Sequence, residues 1–528
     1  MQVKILPAVS AVLAALLIFC FTSCNKVLNQ EPVNSTYDGV FWKSVGDCNA
    51  ALAGNYSLLR DALTYKSNSY YMYGDAVAQN YFTIQYTGDA LEYIQGGDFT
   101  QNYNLNSLGN WSRFYKVIAM CNTIIKKVPA IDDKLLYKDI SDVAAFKDKI
   151  VGQAFFIRAY CYFMLTRVWG EAPIELEAYD NPLTAPQLER SSRVAVMKQV
   201  EDDCHKAIAM LSWGYENTAE QAVMANKGSA YALLAHLYLW RATMTDATSN
   251  APIMQDVQHA DTTIDAVLTY GGYNFTDTAN YSRMFIGRSS ESIFEINMSE
   301  DNKEGSFEGI GLFFLPTQYL ATATTNPRYY VPKRYLDDHY GFGGEWVWDE
   351  DAYAWIWNTF YDSTDVRFRH NFTNIRQPHP VCLKYSNVVY RSAQTKTDPY
   401  LSNNMILFRL SDMVLLKAEI ALYKGDAATA AGIINDLRKR RGANEEHIAD
   451  PSGTVEDVMY EYVLERGKEL YLEGHVYWDL LRTRQYEPFI GWLTESRFKQ
   501  SGYYWPVDPT LFRDNLKLSQ TSYWKGKI

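Results

Sequence analysis

An aromatic run near residue 350 is the part of the sequence best suited to bind a ligand. Its rings alternate, since Trp346 and Trp348 are followed by Tyr353, Trp355 and Trp357. Because successive side chains of an extended segment point to opposite sides, this alternation places the rings on one side. Flat indole and phenol rings can stack on the C–H faces of sugars. The pattern predicts a sugar-binding surface, although a hydrophobic plug over the helices would give the same spacing.

A second tyrosine-rich loop, from residue 81 to 103, offers further rings. Tyr81, Tyr86 and Tyr93 are its candidate ligand contacts, and glycines at 88, 96 and 97 indicate a loop. Binding residues commonly lie on loops that a rigid scaffold positions. A second interpretation stays open, in which these tyrosines pack on the scaffold and contact no ligand.

Three consecutive acids, Asp349, Glu350 and Asp351, follow Trp348 directly. A glycosidase needs two carboxyl groups at a fixed separation across the scissile bond, and neighbouring residues of one loop rarely provide it. Calcium binds carboxylate oxygens, but the spacing and glycine of an EF-hand loop are absent. We expect a solvated acidic loop and no cofactor, with structural calcium as the alternative.

Other catalytic patterns are scarce. The sequence has no GxSxG, HExxH or GxxxxGK[ST] motif, and no two of its eight histidines have metal-ligand spacing on one helix face. Glu465 and Glu469 are one helical turn apart, with Arg466 and Lys468 between them and Arg482 further on. Such interleaving is typical of a salt-bridged helix face and not of a catalytic acid pair. The sequence therefore predicts a binding protein and not an enzyme.

Charge and cysteine content exclude several classes of protein. With a net charge of −11 and a pI near 5.4, the chain lacks the basic surface that nucleic acids or anionic lipid headgroups require. Outside the N-terminal region there is no CxxC pair, so neither a disulfide framework nor a zinc ribbon is indicated. The cysteines concerned, predicted to be structural, are Cys48, Cys121, Cys161, Cys204 and Cys382.

The N-terminus predicts export and lipidation. Lys4 precedes an apolar stretch from 5 to 21, and the small residue Ser23 stands directly before Cys24. This is the pattern of a secretory signal, and its exit resembles a bacterial lipobox. We interpret residues 1–23 as a signal peptide, Cys24 as the lipidation site and residues 24–33 as a tether. An uncleaved membrane anchor is the alternative, but the stretch is slightly shorter than the about 20 residues that span a bilayer.

The elements that must position these residues are mainly helices. Apolar residues recur at helical spacing in 111–125, 146–165, 196–211, 230–240, 257–268, 410–423, 427–441 and 455–472, and SIFEIN at 292–297 suggests a short strand. Paired helices of this length predict a mainly α, tetratricopeptide-like scaffold with long irregular insertions and minor β structure. We expect one domain over 34–528. Its helices would occupy 34–272 and 406–482, a variable ligand-binding insertion 273–405, and a C-terminal segment 483–528.

Several segments in order resemble the SusD/RagB family of outer-membrane nutrient-uptake lipoproteins of Bacteroidetes. The resemblance runs from Cys24 to the C-terminus, and each motif alone is only a helix-packing pattern. The segments are ALAGNYSLLR (51–60), YMYGDAVAQN (71–80), WSRFYKVIAMCNTII (111–125), GQAFFIRAYCYFMLTRVWGEAPI (152–174), RSSRVAVMKQVEDDCHKAI (190–208), FRLSDMVLLKAEIALYKGDAATAAGIINDLRKRRG (408–442), VLERGKELYLEGHVYWDLLR (463–482) and YYWPVDPTLFRDN (503–515).

The resemblance implies a function. It predicts a cell-surface lipoprotein of the outer membrane that captures oligosaccharide and delivers it to a SusC-like TonB-dependent transporter. Peptide uptake, as in RagB-like members, is an alternative that the residues leave open. A surface glycoside hydrolase that uses the acidic loop and a helical-repeat scaffold without a small ligand are further alternatives.

Overall fold

The computed structural model describes residues 41–85, 88–100, 107–181, 184–298, 309–350, 352–392 and 394–528. Cys24, the signal peptide, the tether and Tyr86 lie outside the described residues. Within the described ranges, no helix combines the length and the apolar character needed to cross a bilayer.

The fold is mainly helical, as predicted. The scaffold helices, numbered α1 to α10, are Val45–Tyr71, Ser112–Lys127, Val143–Trp169, Arg193–Met210, Lys227–Met244, Met254–Tyr270, Leu410–Tyr423, Ala427–Arg440, Val455–Glu469 and Val476–Arg482. Shorter helices are Ala90–Gln95, Asp133–Leu136, Gly311–Phe314, Lys333–Tyr340, Val366–Asn371, Glu495–Lys499 and Leu511–Asp514, with a π-helical turn at Met72–Ala76 and 3-10 turns at Thr278–Phe285 and Ser522–Trp524.

Consecutive scaffold helices pack side by side, and this confirms the predicted tetratricopeptide-like pairs. α3 packs on α2 and α4, α5 packs on α6, and α7 packs on α8. Local sequence fixes where these helices begin. The side chains of Ser192 and Thr454 accept backbone N–H groups at the starts of α4 and α9 and so satisfy donors that a helix N-terminus otherwise leaves unpaired.

The strands are short and form two-stranded antiparallel sheets. They are β1 Thr83–Ile84, β2 Ser292–Ile296, β3 Tyr329–Tyr330, β4 Gly341–Asp349, β5 Ala354–Tyr361, β6 Phe372–Thr373, β7 Val381–Cys382, β8 Val388–Ser392, β9 Thr397–Leu401 and β10 Met405–Arg409. The pairs are β1–β3, β2–β10, β4–β5, β6–β7 and β8–β9. SIFEIN is confirmed as β2. Residues 273–405 are more regular than the sequence indicated, because such short strands leave little periodic signal.

One continuous cluster of buried apolar side chains extends along the chain from Cys48 to Trp524. It includes Cys161 and Cys204, and all five cysteines of the described residues are buried and free. The prediction that they are small structural hydrophobes is confirmed. Burial also raises the pKa of the Cys121 thiol to about 12, so this thiol stays protonated at neutral pH.

Two of the sequence motifs meet in the core. A Cβ atom on Gly74 would lie 2.1 Å from the carbonyl oxygen of Gly474, so the two backbones approach more closely than a larger residue allows. The neighbouring Asp75 accepts a hydrogen bond from Gly474 N at 2.8 Å, just before α10. Burial raises the pKa of Asp75 to about 8. The YGDA and EGHVYW segments are thus joined by packing, although they lie at opposite ends of the chain.

Glu465 and Glu469 belong to a buried charge network, which we define as these two acids with Glu291, Arg367, Arg409 and Arg441. Three guanidinium groups form ion pairs with the Glu469 carboxylate: Arg367 at 3.0 Å, Arg409 at 2.5 Å and Arg441 at 2.7 Å. The salt-bridge prediction for the two acids is confirmed. Arg482 lies outside this network, because it pairs with Glu419 at 2.6 Å and with Asp479. The prediction is corrected for this residue.

Candidate ligand-binding surface

The aromatic run forms a β-hairpin. β4 and β5 pair in a register that sets Trp346 opposite Trp357 and Trp348 opposite Trp355. Directly opposed residues of an antiparallel pair point to the same side, as do residues two apart on one strand. All four indoles therefore share one side of the hairpin, as the alternation predicted. We call them, with Tyr353, the aromatic face.

The rings of the aromatic face contact each other and remain open to solvent. The centroids of Trp346 and Trp357 are 5.5 Å apart and those of Trp348 and Trp355 are 5.8 Å apart, both pairs edge to face. Trp346 is 63% exposed, Trp355 62% and Tyr353 81%. The interpretation as a hydrophobic plug is wrong, because rings this exposed cover no core.

Glycines shape the start of the hairpin. Gly343 has a φ of 145°, which L side chains rarely adopt, and the pairing shifts its register between Gly341 and Gly344. A Cβ atom on Gly344 would lie 2.6 Å from the Trp357 ring. The Trp357 indole therefore lies across a backbone position that only glycine leaves open.

The tip of the hairpin holds a strained residue. Tyr353 has a φ of 51°, which is uncommon for a residue other than glycine. Such strain costs of order 1–3 kcal/mol and tends to cluster at ligand and active sites. Its ring lies 6.0 Å from that of Trp348, so the strained backbone extends the aromatic face by one ring.

The base of the hairpin is fixed to the body. Tyr361 donates a hydrogen bond to Asp337 at 2.7 Å, and its ring stacks 5.3 Å from Phe368. Thr359 is buried, and Lys333 donates to its hydroxyl at 3.3 Å. An anchored base with an exposed tip holds the aromatic face in a defined direction.

A cavity of about 340 Å³ opens beside β5. Ile356, Trp357 and Asn358 line one side, and residues 375–378 with Pro380 line the other. Its volume falls in the range of small-molecule sites, about 300–1,000 Å³. A molecule that contacts Trp357 could therefore extend into a recess with amide and guanidinium groups from Asn358 and Arg376.

The tyrosine-rich loop divides into core and surface. Tyr81 is 1% exposed, and its ring packs 5.3 Å from Tyr335 and 5.4 Å from His339. The prediction that Tyr81 faces a ligand is thus corrected in favour of the scaffold interpretation, because no ring surface is left open. Tyr93 is 38% exposed on the short helix Ala90–Gln95.

Residues that the sequence did not single out join this loop to the segment beside the hairpin. Arg328 pairs with Asp89 at 2.6 Å, and Asp89 caps the helix that carries Tyr93. In the same strand region, Tyr330 lies 4.8 Å from the ring of His379, within the segment that lines the cavity. No sequence motif marks Arg328 or His379, because their relation to the loop arises only from the β1–β3 pairing.

Of the acidic run, Asp349 and Glu350 are described and Asp351 lies outside the described residues. Asp349 accepts a hydrogen bond from Ala352 N at 2.8 Å, so it closes the turn at the hairpin tip. This structural role is compatible with the predicted solvated acidic loop. Calcium at these acids stays a prediction.

Tertiary contact also brings together histidines that are far apart in sequence. The donor atoms of His236, Asp412 and His475 lie within 4.8 Å of one another. Each is already engaged, however: Asp412 bonds His236 at 2.7 Å and Arg466 at 2.6 Å, and His475 bonds the Leu407 carbonyl at 3.0 Å. Burial lowers the pKa of both histidines. The two histidines are thus neutral members of a buried hydrogen-bond network that also contains the Asp412–Arg466 ion pair.

Comparison with known families gives two matches that together span most of the chain. Residues 34–239 match a family described as starch-binding and associating with the outer membrane. Residues 221–524 match the SusD family.

The chain is also similar to individual proteins of this kind. The chain is 24% identical to SusD-like protein P38 of Formosa agariphila, with 94% of this chain and 95% of that protein covered. A SusD homolog from Bacteroides thetaiotaomicron shares the fold with a TM-score of 0.75 at 20% identity, over 92% of this chain and 99% of that one. B. fragilis NanU does so with a TM-score of 0.66 at 21% identity, over 93% and 99%.

Proposed function

Since the chain belongs to the SusD family, whose model covers more than half of it, we propose that it is a cell-surface lipoprotein that binds glycans. The observation that carries the proposal is the aromatic face. We propose Trp346, Trp348, Tyr353, Trp355 and Trp357 as its ligand contacts. Tyr93 and Tyr86 of the tyrosine-rich loop are further candidates.

The exposure of these rings argues for a binding role. Large apolar side chains are normally buried, and an exposed cluster of them marks an interaction site. The rings of the aromatic face contact one another and are not members of the core cluster. A surface of flat rings with polar edges suits pyranose rings, which offer C–H faces and hydroxyl groups.

The expected affinity is modest. Each ring stack would contribute about 0.5–1.5 kcal/mol, by analogy with aromatic pairs. Two or three stacks alone correspond to weak binding, since a Kd of 1 mM already needs about −4.1 kcal/mol. The cavity beside β5 adds hydrogen-bonding groups. Weak contacts distributed along a chain suit a protein that captures a polymer and then releases it.

We further propose that lipid on Cys24 holds the protein on the outer face of the outer membrane, where it passes oligosaccharide to a SusC-like TonB-dependent transporter. The match to a family of proteins that associate with the outer membrane supports this location. A Cys24→Ala variant should bind glycan normally but leave the membrane fraction, and uptake should fall. Retention of that variant in the membrane would contradict lipid anchoring.

Binding is tested with soluble protein that lacks residues 1–24, against a panel of polysaccharides and peptides. The double variant Trp346→Ala/Trp355→Ala should weaken glycan binding roughly five- to 150-fold, the sum of two stacks. Its thermal unfolding should be unchanged. Tyr270→Ala is the matched control, because Tyr270 is 65% exposed on α6 and outside the hairpin.

The same panel separates the alternatives. Binding of peptides without any glycan would replace the proposal with peptide uptake. Turnover of a bound glycan that is lost in Asp349→Asn would indicate a hydrolase. If the double variant failed to fold, the rings would belong to the core and the proposed site would be wrong.

A further inference from the structure

The wall of the cavity beside β5 contains cations but, among the described residues, no carboxylate. Its charged lining residues are Lys333 and Arg376, and its other polar lining residues are neutral. The apolar part of the wall consists of Ile356, Trp357, Ile375, Pro378 and Pro380. A wall that combines an indole ring, amide groups and cations suits a sugar unit that carries an anionic substituent.

The cavity lies at the free edge of the hairpin. In the described part of the chain, β5 pairs only with β4, and the described residues that line the cavity include none of β4. Trp357 belongs to the aromatic face, whereas the next residue, Asn358, points to the other side of the hairpin. Both line the cavity, because an edge is reached from either side of a strand. A ligand stacked on Trp357 can therefore place a substituent beside Asn358.

Arg376 is the cation of this wall that is available to a ligand. The charge of Lys333 is offset by Asp337, which lies 2.7 Å away. Arg376 is exposed and donates to the side-chain oxygen of Asn358, and it forms no ion pair with a carboxylate of the described residues. Glu345 is opposite Asn358 in the register, but it lies on β4 and not at the free edge. The remaining N–H groups of the Arg376 guanidinium can thus bind an anion.

The local backbone holds Arg376 beside β5. Asn374 has a φ of 56°, a left-handed conformation that asparagine adopts more readily than most residues. Its carbonyl accepts a hydrogen bond from Gln377 N at 2.9 Å, so Arg376 lies within a closed turn. The bond to Asn358 orients both side chains, because the amide oxygen accepts from Arg376 and the amide nitrogen is left as a further donor. Guanidinium and amide form a preorganised pair of donors.

We propose that this cavity is a subsite for an anionic substituent, carboxylate or sulfate, of the glycan that stacks on Trp357, and that Arg376 pairs with that substituent. The inference rests on the proposed function, since it takes the aromatic face as the glycan site. Both kinds of anion present oxygens that match the planar fork of a guanidinium. A neutral sugar can hydrogen-bond the same donors, but only an anionic group also offsets the charge of Arg376. The ligand class is therefore a glycan with uronate or sulfate groups.

The test compares polymers that share a backbone and differ in anionic groups, with the soluble protein that lacks residues 1–24. The carboxylate pairs are pectate with methyl-esterified pectin and alginate with its propylene glycol ester. The sulfate pairs are dextran sulfate with dextran and carrageenan with desulfated carrageenan. The salt concentration is about 0.15 M, where exposed charges more than about 8 Å apart are largely screened. We expect the anionic member of at least one pair to bind roughly three- to tenfold more tightly, and the pair concerned identifies the anion.

Arginine variants test the cause of this preference. Arg376→Gln should bring the two members of the pair to similar affinity, and Arg376→Lys should retain part of the preference because the charge remains. Arg369→Gln is the matched control, because Arg369 is also exposed but lies outside the cavity wall. It should keep the preference of the wild type. The unfolding midpoint should be the same in all three variants.

The possible outcomes separate this inference from the proposed function. An equal loss of preference in Arg369→Gln would assign it to the net charge of the protein and overturn the subsite. Polymers that bind through the tryptophans with no preference for the anionic member, or with a preference that Arg376→Gln keeps, would overturn this inference and leave the proposed function intact. If no polymer shows binding that Trp346→Ala/Trp355→Ala weakens, the proposed function fails and this inference fails with it.

Discussion

In the buried charge network ionised side chains lie in the core, whereas in the aromatic face indole rings lie in solvent. Glu469, Arg367 and Arg409 are each 0% exposed, while Trp346 is 63% exposed. Each region reverses the usual preference of its residue types. An unusual environment therefore has a different meaning in each of the two regions. The charges are fully paired with one another, so they serve the fold, and the rings are only partly paired, so surface remains for a ligand.

The network also shows why buried charges are retained here. Arg367 lies in the short helix Val366–Asn371, Arg409 at the junction of β10 with α7, and Arg441 just after α8. All three bond Glu469 at the end of α9. Replacing such a cluster by apolar residues can be neutral or stabilising, but removing a single partner leaves buried charges without compensation. The network thus fixes the register between segments that are far apart in sequence.

The largest effect is expected at the centre of the network. Glu469→Gln removes the carboxylate that three buried arginines share, and we expect a loss of about 3–5 kcal/mol of unfolding free energy or a failure to fold. Denaturant unfolding measures the loss. Glu495→Gln, at an exposed acid paired with Lys499, should leave the midpoint unchanged. Equal behaviour of the two variants would remove the distinction between the network and the surface.

Acid should weaken the core before it affects the aromatic face. Burial lowers the pKa of His475 to about 4, from an ordinary value near 6.5. Between these values the unfolded chain takes up a proton that the native chain does not, so the contribution of His475 to stability falls as the pH drops from about 6.5 towards 4. The double variant His236→Gln/His475→Gln should show a shallower loss of unfolding midpoint over that interval.

A second acid-sensitive group acts at lower pH. Burial would raise the pKa of Glu465, but Arg367 and Arg438 hold it at about 2. Because this pKa is depressed, its contribution is present above the ordinary glutamate pKa and is lost as the pH falls towards 2. Asp75, whose pKa is raised, acts in the opposite direction above pH 4, so the assignments are tested by variants. Equal pH dependence of the wild type and the histidine double variant between pH 6.5 and 4 would contradict the role of His475, and equal dependence of the wild type and Glu465→Gln below pH 4 would contradict that of Glu465.

The smallest global effect is expected at the hairpin. Gly344→Ala places a Cβ atom against the Trp357 ring and the backbone oxygen of Asn358, so the indole pairs should lose their geometry at a local cost of about 1–3 kcal/mol. The exciton signal of the paired indoles in circular dichroism should fall, and glycan binding with it, while global unfolding stays constant. Gly432→Ala on α8, where a Cβ atom meets nothing within 4 Å, should change neither signal. A lower global midpoint in Gly344→Ala would place the hairpin within the cooperative core.

Much of the fold could be predicted because it depends on local periodicity. The helices around Ile157, Leu237 and Ile434 were predicted from apolar spacing, and the side of the hairpin that carries Trp346 and Trp348 was predicted from alternation. Tyr81 was placed wrongly, because nothing in a glycine-punctuated loop distinguishes a ring that turns into the core from one that turns outward. The proximity of Arg328 to Asp89 was not predictable either, since 239 residues separate them.

The sequence by itself determined the helical scaffold, the alternating rings of the hairpin and the acidic character of residues 341–361. These are properties of short segments, and they follow from the geometry of one helix or one strand. Tertiary structure alone decided that Glu469 would be enclosed by three arginines while Trp346 would stay in solvent. That decision depends on which distant segments pack together, because desolvation is set by all the neighbours of a side chain and not by its own position in the chain.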